Sequence, residues 1–223
     1  MPYTRLAQGA GRPLHLAAQP HVWTWNIQVL WVLQRQRILE HFSMQSDQSD
    51  ELVLQRHEGN EAWFSRCGHY RYDLRWRAQA DGDFDAHECI FLMLNPSTAD
   101  AFKLDPTNRR CFEFTRRERA KDMYVLNIFA YRATDPKDMK AQADPVGPEN
   151  DRYIQRVLQR AQANGTKLIC AWGNHGAHIG RSDAIRQMIG AAGAKAYCFG
   201  YTKTGEPKHP LYLRKDSALV PFE

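Results

Sequence analysis

The 223-residue sequence lacks the short motifs that identify several common enzyme classes. It contains no GxGxxG and no GxxxxGK[ST] pattern, so dinucleotide binding and P-loop phosphate transfer have no motif support. The GxSxG elbow of α/β-hydrolases and the HExxH helix of zinc peptidases are also absent. Candidate functional residues must therefore be sought where the fold would bring separate segments together.

Cysteines are few, and no two of them have the spacing of a CxxC pair. The five cysteines, at positions 67, 89, 111, 170 and 198, form no CxxC motif. An odd number without paired spacing argues against a disulfide framework and against a zinc ribbon. We expect reduced, mostly buried thiols without a functional role, and the sequence indicates no metal site and no cofactor.

Long hydrophobic runs are absent as well. A membrane span needs about 20 predominantly apolar residues, whereas the apolar run near the N-terminus covers only residues 29–33. Gln34-Arg35-Gln36-Arg37 follows it instead of a small-residue cleavage site, so no signal peptide is predicted. We expect a cytoplasmic protein that has no membrane partner.

The composition is that of an ordinary globular protein, with 43% hydrophobic and 25% charged residues. The length suits one domain with an appendage, because roughly 100–200 residues per domain is usual. The formal net charge of +5 weakly favours a polyanionic partner, either nucleic acid or a nucleotide. The oligomeric state cannot be inferred from these features.

Residues 1–58 differ in composition from the rest and are predicted to be an N-terminal extension. The segment begins with Gly, Ala and Pro and ends in the polar stretch 45–50, which is typical of a linker. Helix-like apolar spacing at 27–39 is compatible with a docking helix. Two interpretations remain open: a poorly ordered extension, or a mis-assigned start upstream of Met44. The domain proper is placed at residues 59–223.

Within residues 59–223, strand and helix signals alternate. Strands are predicted at 69–76, 89–94, 123–130, 167–172 and 194–199. Asp105-Pro106 and Pro148-Glu149 are typical of helix starts, and Gly165 and Gly193 of helix ends. Alternation of this kind requires crossover connections, which predict a three-layer α/β/α fold with a mostly parallel central sheet.

Polar residues follow the predicted strands at the edge where such sheets bind ligands. Asn127 lies within an apolar strand, where an unpartnered amide would be costly. It either ties loops together or presents a donor and an acceptor to a planar ligand such as a nucleobase edge. Arg132 offers a fork for a phosphate or for Asp135. Trp172-Gly173 follows the third strand.

Two further segments are candidates at the same edge. In Asn95-Pro96-Ser97, the asparagine either ties the turn to itself or holds a water or a carbonyl group. Asp105 is more simply a helix N-cap than a metal ligand. His209 lies in a loop made rigid by two prolines, where Lys208 would help it to stabilise an anion or contact a phosphate.

Six segments together resemble an uncharacterised bacterial and phage domain family. They include the LNPSTAD signature at residues 94–100, AWG at 171–173 and HPLYL at 209–213, and the others are residues 105–107, 127–136 and 144–151. The resemblance covers the chain from about residue 60 to its end. It implies domain boundaries but no activity.

The chain is also distantly similar to the uracil-DNA glycosylase superfamily, whose motifs follow the same order. Asn95-Pro96 resembles the motif in which an Asn positions the attacking water, although Met93 and Ser97 stand where the mismatch-specific branch has glycines. The resemblance implies that Asn127 reads the uracil edge and that Trp172-Gly173 is a structural landmark. His209 would stabilise the leaving base anion, and one of residues 211–213 would be the wedge that enters the DNA stack.

The resulting hypothesis is a glycosylase-like protein that binds a nucleobase or nucleotide and hydrolyses an N-glycosidic bond in DNA or in a nucleotide. Asn95 and His209 are the candidate catalytic residues, and the candidate binding residues are Pro96, Ser97, Asn127, Arg132, Trp172, Gly173 and Lys208. Two alternatives stay open: a non-catalytic module that binds nucleic acid or a nucleotide, and an α/β enzyme that acts on another small metabolite.

Overall fold

The computed structural model describes residues 52–78 and 85–223, and in this part of the chain an eight-stranded sheet forms the centre of the fold. The strand order is β1-β2-β3-β5-β4-β6-β7-β8. The strands are β1 Val53–His57, β2 Asn60–Phe64, β3 Arg71–Arg77, β4 Asp85–Met93, β5 Ala120–Asn127, β6 Lys167–Cys170, β7 Ala196–Cys198 and β8 Val220–Pro221. Most of the predicted extension, residues 1–51, lies outside the described residues.

The sheet is mixed, so the prediction of a mostly parallel sheet is wrong, whereas the α/β class is confirmed. Strands β5, β4, β6 and β7 pair in parallel. Strands β1, β2 and β3 pair antiparallel and join β5 antiparallel, and β8 joins β7 in the same way. The two-residue turn Glu58-Gly59 has positive φ at both positions, which suits a hairpin. So short a connection can only produce an antiparallel pair.

Four α-helices occur in the described residues. They are α1 Pro106–Arg117, α2 Pro136–Lys140, α3 Asn150–Asn164 and α4 Arg181–Ala192, with short 3-10 segments at Asn174–Gly180 and Pro210–Tyr212. The predicted ends are confirmed, because Gly165 and Gly193 end α3 and α4 in left-handed backbone conformation. None of these helices has the length and apolar character needed to cross a membrane.

The alternating side chains of β4 pack into two separate buried clusters. Ile90 and Leu92 belong to a cluster that includes α3 and α4 residues such as Leu158 and Ile185. Phe91 belongs to the other cluster, together with residues of α1. With apolar side chains on both faces, the central strands are fixed in position, and their carboxyl ends form a defined edge.

Four of the five cysteines are buried and free, as expected from the sequence. Cys67 is the exposed one. It lies in the tight connection between β2 and β3, where Gly68 has a φ of 74° and the chain turns at the protein surface.

A close contact holds the chain at the end of β6. A Cβ atom added to Gly176 would lie 2.1 Å from Cδ1 of Trp172, whose side chain is 1% exposed. The indole Nε1 donates to Glu206 Oε2 at 2.7 Å, so the ring has a fixed partner and little room to shift.

We predict that Gly176→Ala lowers the free energy of unfolding by about 2–3 kcal/mol, because overpacking against a rigid ring is costly. The matched control is Gly190→Ala in α4, where nothing lies within 4 Å of the added Cβ. That change should raise stability by about 0.5–1 kcal/mol, because alanine favours a helix interior. Urea unfolding of the three chains measures both effects. Equal stability of the two variants would contradict the packing described at Trp172.

Candidate functional site

A cleft of about 760 Å³ lies at the carboxyl ends of the parallel strands. It is lined by the residues after β4, the end of β5, the residues after β6, the start of α1 and the segment at 208–213. Of the residues predicted from the sequence, the cleft brings together Asn95, Ser97, Asn127, Trp172, Gly173, Lys208 and His209.

Pro96 and Arg132 are not among the lining residues. The carbonyl oxygen of Pro96 accepts from the backbone N–H of Ala133 at 2.8 Å, so this residue holds the loop rather than facing a ligand. Arg132 donates from Nη1 to the Gly68 carbonyl at 3.0 Å and stacks over Phe64 at 4.9 Å. Its suggested partner Asp135 instead caps α2.

Asn127, at the end of β5, is 2% exposed and faces the cleft from below. Its amide oxygen accepts a hydrogen bond of 3.0 Å from Nη2 of Arg71. A guanidinium group can only donate, so the oxygen of the amide must point toward Arg71. The amide nitrogen donates to no other described residue and is left for the cleft. Of the donor and acceptor that the sequence suggested for Asn127, only the donor is left for a ligand.

Arg71 was missed by reasoning from the sequence. It lies in a strand that alternates bulky and charged residues, which indicates a solvent-facing arginine, yet it is 1% exposed. Nη1 donates to the Ala99 carbonyl at 2.8 Å. Burial lowers the pKa of Arg71 to about 10, while the charge of Asp105 acts in the opposite direction. The guanidinium remains charged at neutral pH and links three segments.

The backbone around Asn127 is held by two buried side chains from the helices that follow. Asn150 donates from Nδ2 to the carbonyls of Asn127 and Ile128, at 2.9 and 3.1 Å. Arg181 donates from Nε to the Ile128 carbonyl at 2.7 Å and pairs with Asp151. The end of β5 is therefore fixed from both sides, and Asn127 has a defined position.

Asn95, directly beyond β4, has its amide oriented by the backbone. Nδ2 donates to the carbonyl of Ala133 at 2.7 Å and to that of Pro96 at 3.0 Å. Its oxygen Oδ1 accepts no hydrogen bond from the part of the chain that the structure describes. The nitrogen ties the turn, as the first interpretation predicts. The oxygen is an acceptor available to the cleft, where it could hold a water.

Ser97 and Lys208 lie at the cleft with weaker constraints. Ser97 Oγ is 3.3 Å from Thr134 Oγ1, which connects the turn to the neighbouring loop. Lys208 is exposed, and its Nζ is the atom nearest to a Cβ built on Gly200, at 3.8 Å. Lys208 therefore supplies a mobile positive charge at the rim rather than a fixed contact.

The loop that carries His209 is anchored through Trp172. Glu206, 7% exposed, accepts from the indole Nε1 of Trp172 and from Ser182 Oγ, at 2.7 and 2.9 Å. Gly173 donates its N–H to the Pro207 carbonyl at 2.8 Å. A Cβ at Gly173 would lie 3.4 Å from His209 Cβ, and its φ of 70° also favours glycine. The Trp-Gly pair therefore seats the histidine.

The protonation of His209 follows from its surroundings. Nδ1 accepts a long hydrogen bond of 3.5 Å from the backbone N–H of Leu211, which favours the tautomer with the proton on Nε2. Burial lowers the pKa of His209, and Asp105 partly opposes this shift. A neutral imidazole with an N–H donor toward the cleft is the result.

Asp105 and Asn108, from the start of α1, also line the cleft. The predicted N-cap is confirmed, because Asp105 Oδ1 accepts from Asn108 N at 2.8 Å. The capping role made this carboxylate look purely structural in the sequence. Its placement in the cleft depends on the crossover from β4 to α1, which a local motif does not specify.

Metal ligands do not cluster in this site. In the described ranges, no group of three or more His, Cys, Asp or Glu side chains could hold a metal ion. His175 lines the cleft, but its Nδ1 lies 3.1 Å from Nζ of Lys140. Burial and that lysine both lower the pKa of His175.

Comparison with known proteins gives one match. The model of a family described as "Protein of unknown function (DUF1643)" matches residues 71–211, which is more than half of the chain. The match lies within the region of the predicted resemblance to an uncharacterised family. Searches of the curated proteins and of the solved structures found no significant match.

We predict that His209 titrates with a midpoint below 6.5 in the folded chain, because burial disfavours its charged form. In that case the unfolded chain takes up a proton that the native chain does not, so this histidine lowers stability as the pH falls below about 6.5. NMR of the ring signals, assigned with His209→Gln, measures the midpoint and the tautomer. A midpoint at or above 6.5, or a proton on Nδ1, would contradict this description.

Proposed function

Because the chain belongs to the DUF1643 family, whose function is unknown, we propose a function from the geometry of its cleft: it binds a nucleobase or nucleotide and hydrolyses the N-glycosidic bond. The observation that carries the proposal is the meeting of three fixed polar groups in one cleft. These are the Asn127 amide donor, the Asn95 amide oxygen and the neutral imidazole of His209.

Base recognition is assigned to Asn127. Since Arg71 occupies its oxygen, the Asn127 nitrogen donates to a ligand carbonyl oxygen and disfavours an amino group at the same position. A cleft of about 760 Å³ is within the usual range for ligand sites and is large enough for a nucleotide. The ligand class is therefore a base that carries an exocyclic carbonyl oxygen.

The hydrolytic step is assigned to Asn95 and His209. Asn95 Oδ1 accepts a hydrogen bond from the attacking water and so orients the water oxygen toward the anomeric carbon. As that oxygen bonds to carbon and the water loses a proton to its surroundings, the bond to the base nitrogen breaks and its electron pair leaves with the base. The base anion is then neutralised by a proton from solvent. His209 Nε2–H stabilises the negative charge that develops on the base. A neutral imidazole is sufficient for this hydrogen bond.

A nucleotide within a strand is the substrate form that the rim of the cleft favours. Tyr212, in the segment Pro210–Tyr212, is 90% exposed at the cleft. Lys208 lines the same cleft, so the exposed aromatic ring offers a stacking surface and the lysine a phosphate contact. These features and the order of the strand-end motifs support DNA as the polymer.

The test is incubation of the chain with single- and double-stranded DNA that carries uracil or another modified base, and with free nucleosides, followed by alkaline cleavage of abasic sites. We expect strand cleavage at the modified base. Asn95→Ala and His209→Ala should each lower the rate about 100-fold or more, because each removes a transition-state contact.

Asn164→Ala is the matched control, since this exposed asparagine ends α3 and does not line the cleft. It should leave the rate unchanged. Hydrolysis that survives both Asn95→Ala and His209→Ala would contradict the assigned roles. Binding without release of a base would contradict the hydrolytic part of the proposal and support a binding module instead.

A further inference from the structure

The cleft also contains a carboxyl group that the proposed function does not yet use. Asp105 is the only acidic residue among the described residues that line it. Its side chain is directed to this position because it caps α1, whose first turn forms part of the cleft wall. The residue is 7% exposed, so its carboxylate is shielded from bulk solvent.

The cap uses only one of the two carboxylate oxygens. Oδ1 accepts both from the backbone N–H of Asn108, at 2.8 Å, and from its side-chain Nδ2, at 3.0 Å. Oδ2 accepts no hydrogen bond from any residue that the structure describes. Asn108 itself is 5% exposed, and its Oδ1 has no partner within the same residues. The start of α1 thus brings one carboxylate oxygen without a donor, Asp105 Oδ2, to the cleft.

The electrostatic surroundings place Asp105 near both other functional groups. Its charge is the largest of those that raise the pKa of buried Arg71, and it also raises the pKa of His209. Asp105 therefore acts electrostatically on both the group that orients Asn127 and the imidazole assigned to the leaving base, and it lines the same cleft as Asn127 and His209. A carboxylate in that place is available to a water that approaches the sugar.

We propose that Asp105 is a catalytic residue, the general base that takes a proton from the attacking water; this rests on the proposed function. One water proton moves to Asp105 Oδ2 as the water oxygen bonds to the anomeric carbon. The bond from that carbon to the base nitrogen breaks, and the electron pair leaves with the base. Asn95 orients the same water through Oδ1, so the two residues divide orientation and proton removal.

Asp105→Asn tests the role with the cap preserved, because asparagine caps helices as well as aspartate does but cannot act as a general base. We expect a lower thermal midpoint, because the carboxylate that offsets the buried charge of Arg71 is lost. The variant should still fold and bind DNA within about threefold of the wild type. Turnover should fall about 100-fold or more, because the variant cannot take up the proton of the attacking water.

Asp135→Asn is the matched control. Asp135 caps α2 in the same manner, through the N–H of Lys137, and does not line the cleft. This variant should keep the wild-type rate. Equal turnover in the wild type and in Asp105→Asn would overturn the role of Asp105 and leave the proposed function intact. A wild-type chain that releases no base from any of the DNA or nucleoside substrates would overturn both.

Discussion

The buried guanidinium of Arg71 connects β3, the turn after β4 and the end of β5 through hydrogen bonds to Ala99 and Asn127. Because the group can only donate, it fixes the orientation of the Asn127 amide and thereby determines which ligand atoms that amide can meet. Burial of a charge is costly unless hydrogen bonds and nearby carboxylates compensate. Asp105 is the carboxylate with the largest effect on it, so the recognition group and the proposed base belong to one electrostatic unit.

The remaining groups of the cleft are oriented in the same way, by bonds that use one side of each polar side chain. Asn95 gives its nitrogen to backbone carbonyls, and Asp105 gives one oxygen to the cap of α1. His209 receives a backbone N–H at Nδ1 on a loop held by the contact between Glu206 and Trp172. In each case the opposite side stays available, so the cleft presents a donor from Asn127, acceptors from Asn95 and Asp105, and a donor from His209. Preorganisation of this kind is what electrostatic catalysis requires.

Much of this arrangement could be predicted from the sequence, because it follows strands with continuous apolar runs. Asn95, Asn127 and His209 were identified as polar residues at strand ends, and the crossover connections bring strand ends to one edge. Arg71 could not be found in this way, because alternation predicts an exposed side chain, whereas the tertiary fold buries it against Ala99 and Asn127. Arg132 was misplaced for a related reason: it packs on Phe64 of β2, a strand that the apolar pattern did not reveal. Asp105 was recognised by its local cap, whereas its place in the cleft depends on the tertiary fold.

The central claim is that Arg71 leaves the Asn127 N–H₂ group free to bind a ligand carbonyl. The most direct measurement is the two-dimensional NMR spectrum of side-chain amides during titration with uracil, which carries such oxygens. The Asn127 signals should shift on binding, whereas those of Asn95, whose nitrogen is bonded to backbone carbonyls, should move much less. In Arg71→Lys, where a single ammonium replaces the fork, the Asn127 shift should be smaller. If the Asn127 side-chain signals do not shift at saturation, or shift as far in Arg71→Lys as in the wild type, this account is contradicted.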